Sequence, residues 1–417
     1  MMKKILAILI LTLLMSAVQS VHASTPLFDI QSIDTMKYSR DGANNSGVID
    51  KIPELVEKVS ALHPTHIAIA TPYDEEFYPV LKRWVLEARK RNLKVWFRGN
   101  MSAWEGWFDH KKYEDPNQHH ADIHAFITKH PELFSGGDIF TPAPEPENGG
   151  FGDPRTSEEI KKKFFDFLPE SYRNCRDSFA QIGVKVTCGY FSTNGDVAKI
   201  IPTYVYQQSG GVLVIDHYVR TPEELIRDIQ DLYRQNHLPI VLGEFGLPIP
   251  DIHGDLSDAD QDRLIHSTLE QLSTQRHIVK GINYWTAFGG STQIFTDSLN
   301  PKPAVKTITE YFTPVHISGR VLDEWDEPVV DVAVEVAGLS SSTSSSLGEY
   351  SVITTKSHRT LSAKKDGYFT TRTRTPFSTT EAEDVFDIHL VKRDRGLWER
   401  VLILLHRFGL IRKPAAS

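Results

Sequence analysis

Residues 212–246 contain Val212-Leu213-Val214-Ile215-Asp216-His217-Tyr218, then Thr221-Pro222-Glu223-Glu224, then Pro239-Ile240-Val241-Leu242-Gly243-Glu244-Phe245-Gly246. The first and last apolar runs are continuous, as expected of strands buried on both faces of a parallel sheet. Between them Leu225, Ile226, Ile229, Leu232 and Tyr233 recur at helical spacing. Thr221 and Glu224 form a capping box, with Pro222 at the first helical position. Strand, helix and strand in this order make a βαβ unit.

The unit repeats outward in both directions. Strand candidates are Ile33–Tyr38, Thr65–Thr71, Lys94–Arg98, Asp138–Thr141, Lys185–Tyr190, Val212–His217, Pro239–Glu244 and Gly281–Trp285. Helical periodicity separates them, for example Leu55, Val56, Val59 and Leu62, or Phe77, Val80, Leu81, Trp84, Val85 and Ala88. Eight alternations between about residues 28 and 314 predict a closed (β/α)₈ TIM barrel. The alternative, an open doubly wound sheet, would usually carry a glycine-rich phosphate loop after an early strand; the sequence has none. Barrel chemistry gathers at the C-terminal ends of the strands. Those ends carry Lys37 and Tyr38, Tyr73 and Asp74, Arg98 and Asn100, Glu145 and Glu147, Tyr190, His217 and Tyr218, Glu244, and Trp285.

From residue 315 the pattern changes. Val330, Val332, Val334 and Val336 alternate, and short strand signals follow around a Ser-rich turn at Ser340 to Ser346. This predicts a small all-β sandwich over 315–392. Residues 393–417 form a basic, aromatic, amphipathic tail too short to span a bilayer. It suits a helix lying on a membrane surface, or one docked on the sandwich or a partner. At the other end, Lys3-Lys4, an apolar run from Ile5 to Val18 and Val21-His22-Ala23 predict a signal peptide over 1–23. An uncleaved anchor is the alternative. Either places the barrel domain, 24–314, outside the cytosol, secreted or associated with the cell envelope.

Composition narrows the partners. The 417-residue chain has a formal net charge of -8, so no basic field argues for nucleic acid. Cys175 and Cys188 are the two cysteines. One sits in a helix-like run and the other in a strand-like run, which favours two separate buried thiols over a bridge. His119, His120 and His124 lack a cysteine or carboxylate at ligand spacing, so an exposed polar helix face is expected rather than a metal site. No metal and no cofactor are expected.

Paired carboxyls at opposed strand ends suit glycosidic cleavage, which needs one acid to protonate the leaving oxygen and a second carboxylate as nucleophile or base. The segment Gly243-Glu244-Phe245-Gly246 resembles the strand-seven nucleophile segment of the large (β/α)₈ glycoside hydrolase clan that includes cellulases and β-mannanases. Pro144-Glu145-Pro146 matches the acid/base position at the end of strand four, usually Asn-Glu-Pro. Asp216-His217-Tyr218 and Tyr284-Trp285 resemble the clan's strand-six and strand-eight ends. The resemblance implies Glu244 as nucleophile and Glu145 as acid/base, with Glu147 as a rival acid. It also implies a β-linked carbohydrate substrate. Pro144 departs from the pattern, because it cannot donate the hydrogen bond that the clan's asparagine gives a sugar hydroxyl. Arg98, Asn100, Trp104, His217, Tyr218 and Trp285 are the expected substrate-binding residues. Arg98 is further expected to orient the nucleophile and hold its pKa low. Residues 315–392, with "GRVLDEWDEPVVDVAVEV" and "AKKDGY", are similar to the carboxypeptidase-regulatory-like accessory domain, which carries no catalysis. A non-catalytic carbohydrate-binding protein on a decayed barrel, or a transglycosylase, are the alternatives to a hydrolase.

Overall fold

The computed structural model describes residues 26–336, 339–375 and 383–412. The expected signal peptide lies outside the described residues. Nine parallel strands form the main sheet: β1 Ile30–Asp34, β2 His66–Ile69, β3 Lys94–Phe97, β4 Ile139–Phe140, β5 Thr187–Cys188, β6 Thr193–Asn194, β7 Leu213–Asp216, β8 Ile240–Phe245 and β9 Val279–Tyr284. Their order is β5-β4-β3-β2-β1-β9-β8-β7-β6. Strands β5 and β6 are two halves of one stave. Between them Gly189, Tyr190 and Ser192 take φ values of 92°, 58° and 30°, which no strand can hold. The first half pairs with β4 and the second with β7, and the four residues between them close the ring. The fold is therefore a (β/α)₈ barrel followed by smaller sheets.

Period-two alternation stacks the barrel interior in layers. Ile30, Ala68, Trp96, Ile139, Val214 and Val241 form an apolar plug. Two residues further along each of β3, β4, β7 and β8 stand Arg98, Thr141, Asp216 and Gly243, with Asp34 ending β1. A polar layer thus lies above the plug, at the C-terminal ends of the strands. Outward residues such as Ile33, Ile67, Phe97, Ile215, Leu242 and Ile282 pack against the helices. The helix Pro222–Asn236 shows why: Thr221 caps it by accepting from the Glu224 amide at 3.2 Å, and Leu225, Ile229 and Leu232 face the sheet.

Cys175 and Cys188 are joined in a disulfide with Cα atoms 6.0 Å apart, which corrects the expectation of two thiols. The long helix Glu158–Ile182 lies against β5, and this packing brings together two residues that sequence spacing leaves apart.

Strand β10 Val315–Leu322 begins just after the last barrel helix, Pro303–Phe312. It pairs with β13 Glu349–Thr354, β16 Glu383–Val385 and β17 Ile388–His389. A second sheet has the order β12 Ser340–Thr343, β11 Ala333–Val336, β14 Thr360–Lys364, β15 Thr371–Arg374. Val332, Val334 and Val336 from one sheet and Ile317, Val321 and Val352 from the other share one core. Arg276 donates to the Leu339 carbonyl at 3.2 Å, and His358 lies 2.9 Å from Glu270, so the two units touch.

Candidate active site

Arg98 lies at the centre of the polar layer, with its side chain fully buried. Its Nη1 donates to Asp34 at 3.0 Å and to the Gly243 carbonyl at 2.7 Å. Its Nη2 donates to Ser192 Oγ at 3.0 Å and Asp216 Oδ2 at 3.3 Å. The same nitrogen stands 3.0 Å from Glu244 Oε1, an ion pair without the alignment of a hydrogen bond, since that oxygen has no hydrogen-bond partner among the described residues. Tyr218 donates to the other oxygen, Oε2, at 2.8 Å. Asn283 adds bonds to Asp34 at 2.9 Å and the Gly243 carbonyl at 2.8 Å.

The two glycines flanking Glu244-Phe245 are required by close approach. A Cβ on Gly243 would stand 2.5 Å from Asp216 Oδ1, and one on Gly246 would stand 1.8 Å from the Trp285 carbonyl oxygen. These gaps let β7 and β9 close on the end of β8, bringing Asp216 and Trp285 beside Glu244.

Glu145 enters from the loop after β4, with φ of 43° and its amide donating to the Ser192 carbonyl at 3.0 Å. One oxygen each from Glu145, Asp216 and Glu244 lie within 4.8 Å of one another. Glu147 is placed differently. Its Oε1 accepts from the Asn194 amide at 2.6 Å, so it braces the second half of the broken stave outside that cluster.

Burial dominates the electrostatics. It pushes Glu244 up to about 7, against Arg98, whose charge lowers it, as does the Tyr218 hydrogen bond. The expectation that Arg98 holds Glu244 low is thus corrected: desolvation outweighs it. Burial also raises Glu145, again opposed by Arg98. Asp216 is raised well above its ordinary value by burial and then by the Glu244 charge. Burial works against the Arg98 charge, but Glu244, Asp216, Asp34 and Glu145 outweigh it and raise its pKa. Glu147 is raised to about 7 by burial. Three carboxylates this close have the donor set for a hard cation. Arg98 supplies one positive charge against Asp34, Asp216 and Glu244 together, so it offsets only part of the cluster's charge.

Around this floor the mouth is aromatic. Tyr218 and Trp285 meet edge to face at 6.0 Å, and Lys37 Nζ lies 5.7 Å from the Trp285 ring centre. Trp107 is half-buried, with the Arg40 guanidinium 4.7 Å from its ring centre. Glu105 is raised to about 7 by burial, with Arg40 opposing.

Several expected binding residues lie elsewhere. Trp104 is 1% exposed, stacked on Phe167 at 4.9 Å, and offers no face to a ligand. Asn100 is fully buried, its Oδ1 2.7 Å from His119 Nε2. Arg98 is likewise too buried to touch a sugar and acts through the carboxylates. His119 is fully buried under the Trp104 loop, so that side of its helix is not the exposed polar face expected. His217 is tied to Asp228 at 2.8 Å, and its backbone amide donates to the Glu244 carbonyl at 3.0 Å. Asp34, Asp216, Ser192 and Asn283 are site residues that the sequence reading does not single out. The inward parity of Val214 and Asp216 is the signal that finds the second of them.

Solved structures share this fold. A variant of GH5_18 from Streptomyces cattleya in complex with Manb1-4GlcNAc is 13% identical, with a TM-score of 0.50, over 72% of this chain and 85% of that one. GH5_18 from Bifidobacterium longum subsp. longum is 13% identical, also with a TM-score of 0.50, over 71% and 83%. At such identities the likeness is one of fold. No protein-family model and no curated protein matches the sequence.

Proposed function

We propose that this chain hydrolyses O-glycosidic bonds in a β-linked poly- or oligosaccharide by a retaining, two-glutamate mechanism. One observation carries the reading: Glu145 and Glu244 bring carboxyl oxygens within 4.8 Å at the mouth of the barrel. Oxygens that close are compatible with the roughly 5–5.5 Å carboxyl separation of retaining glycosidases and favour it over the wider spacing that leaves room for an inverting water. In the first step a Glu244 oxygen attacks the anomeric carbon while Glu145 gives its proton to the departing oxygen. In the second, water attacks that carbon, Glu145 takes its proton, and the Glu244 ester bond breaks.

The environments support this division of roles. Glu244 is fixed by Arg98 and Tyr218, both of which favour its charged form. Glu145 is partly exposed at the rim and raised by desolvation, as an acid working near neutrality should be. Trp285 and Tyr218 supply aromatic surface for a sugar ring. Export is proposed alongside, and the Cys175–Cys188 disulfide supports an oxidising compartment. The sandwich, read as an accessory module, is given no part in the chemistry.

The experiment is an activity screen on β-glucan, mannan, arabinogalactan and aryl β-glycosides, with Glu244→Gln as control. Turnover by the native chain that collapses in a folded Glu244→Gln variant is expected. Near-normal activity in that variant would remove the assignment. Binding of these glycans without turnover would favour the decayed-barrel reading that Pro144 suggests.

A further inference from the structure

The helix Leu397–Arg407 packs on the sandwich with one side only. Ile403 is buried there, and the His406 ring lies 5.2 Å from that of Trp325. Arg395, just before the helix, anchors it to Glu324 at 3.2 Å and Asp323 at 3.3 Å. On the other side Leu397, Val401, Leu404 and Phe408 follow one another at steps of four, three and four, with Trp398 alongside. Leu397, Trp398 and Phe408 are 80%, 79% and 70% exposed. A helix docked by one side and wetted on the other should be polar where it is wet. This one is apolar on both.

Charge indicates what covers the second stripe. The whole chain carries -8, yet residues 391–412 hold six lysines and arginines against two acidic residues. Helical spacing puts Arg400 and Arg407 along one edge of the stripe. Among the described residues no carboxylate pairs with Arg400, Arg407 or Arg412. A second copy would bring like charges together along that edge, whereas lipid phosphates would meet them. No described helix is long and apolar enough to cross a bilayer. We infer that this helix lies in the plane of an anionic phospholipid surface, inserting Leu397, Trp398, Val401, Leu404 and Phe408 and setting Arg400 and Arg407 among the headgroups.

The test is co-sedimentation of the full chain with vesicles of phosphatidylcholine containing about one-third phosphatidylglycerol, against phosphatidylcholine alone. Partition onto the anionic vesicles should be at least roughly tenfold stronger, and should weaken as salt is raised. Leu404→Gln with Phe408→Gln, and separately Arg400→Glu with Arg407→Glu, should each lower it about tenfold or more, with an unchanged unfolding midpoint. The second pair is exposed and outside any core, so it remains informative if the first misfolds. Equal partition onto neutral vesicles, no partition, or variants that bind like the native chain would each overturn the inference. So would a dimer in light scattering that the first pair dissolves, since a second copy would then cover the stripe.

Discussion

Replacing Glu244 by glutamine should make the protein more stable at alkaline pH relative to the native chain, although it removes the proposed nucleophile. The folded protein holds Glu244 at about 7, against an ordinary value of 4.5. That gap is worth about 3 kcal/mol at roughly 1.4 kcal/mol per unit. The folded state binds this proton more tightly than the unfolded chain. The resulting contribution is therefore complete below the unfolded value and is lost as pH rises through the folded one. Between about pH 4.5 and pH 8.5 the native chain should lose about 3 kcal/mol from this group alone. Glutamine mimics the protonated acid at every pH and loses nothing. The measurement is the stability difference between variant and native chain by equilibrium denaturation at both pH values. Groups remote from the site cancel in that difference, whereas Asp216, which the Glu244 charge raises, is relaxed in the variant and shifts the difference in the same direction. The variant should gain about 3 kcal/mol on the native chain across the range, or roughly 3–5 °C in midpoint for a chain of this size. A difference that stays constant would show that attraction to Arg98 fully compensates the burial of Glu244, leaving its pKa unraised.

Three further outcomes follow from the same geometry. Glu145→Ala should spare the first step on an activated aryl glycoside, whose leaving group needs no proton, while Glu147→Ala should slow aryl and natural substrates alike by releasing the Asn194 amide. The reverse pattern would hand the acid role to Glu147. Tyr218→Phe removes a hydrogen bond that lowers the Glu244 pKa, so the acidic limb of the kcat/KM profile should move to higher pH; an unmoved limb would separate Tyr218 from the nucleophile. Replacing Cys175 and Cys188 together by alanine should cost about 2–4 kcal/mol of stability and make the protein indifferent to reductant.

The parts of this fold that were legible from sequence are those set by local periodicity. The β8 run Ile240-Val241-Leu242 leads straight into Glu244, so a buried strand and the polar residue at its end can be read together. Strand β1 shows the limit. Its candidate, Ile33–Tyr38, is set about four residues late, because Met36–Ser39 forms a short helix instead of continuing the strand. The inward Asp34 is hidden by that shift. The break in the fifth stave depends on positive φ at Tyr190 and Ser192, which neither residue type signals. Trp104 is covered by the loop that carries Gly149 and Gly150, where an added Cβ would stand 2.6 and 2.2 Å from its ring, and His119 packs in turn against Trp104. Which side chain a loop covers is a tertiary fact, and the same holds for the Cys175–Cys188 pairing. Asp216 marks a different shortfall: its strand is read, but attention goes to His217 and Tyr218 at the strand end and passes over Asp216, which shares the inward parity of Val214.

In the proposed retaining mechanism Glu244 forms a covalent bond to the sugar. That bond is tested most directly by incubating the protein with activated 2-fluoro aryl β-glycosides of several sugar types, which slow breakdown of a glycosyl-enzyme more than its formation, and mapping the adduct by peptide mass spectrometry. One added glycosyl mass per chain is expected, located on Glu244 and missing from Glu244→Gln. Turnover of the parent glycosides with no adduct from any of the probes, or an adduct on Glu145 instead, would contradict that mechanism.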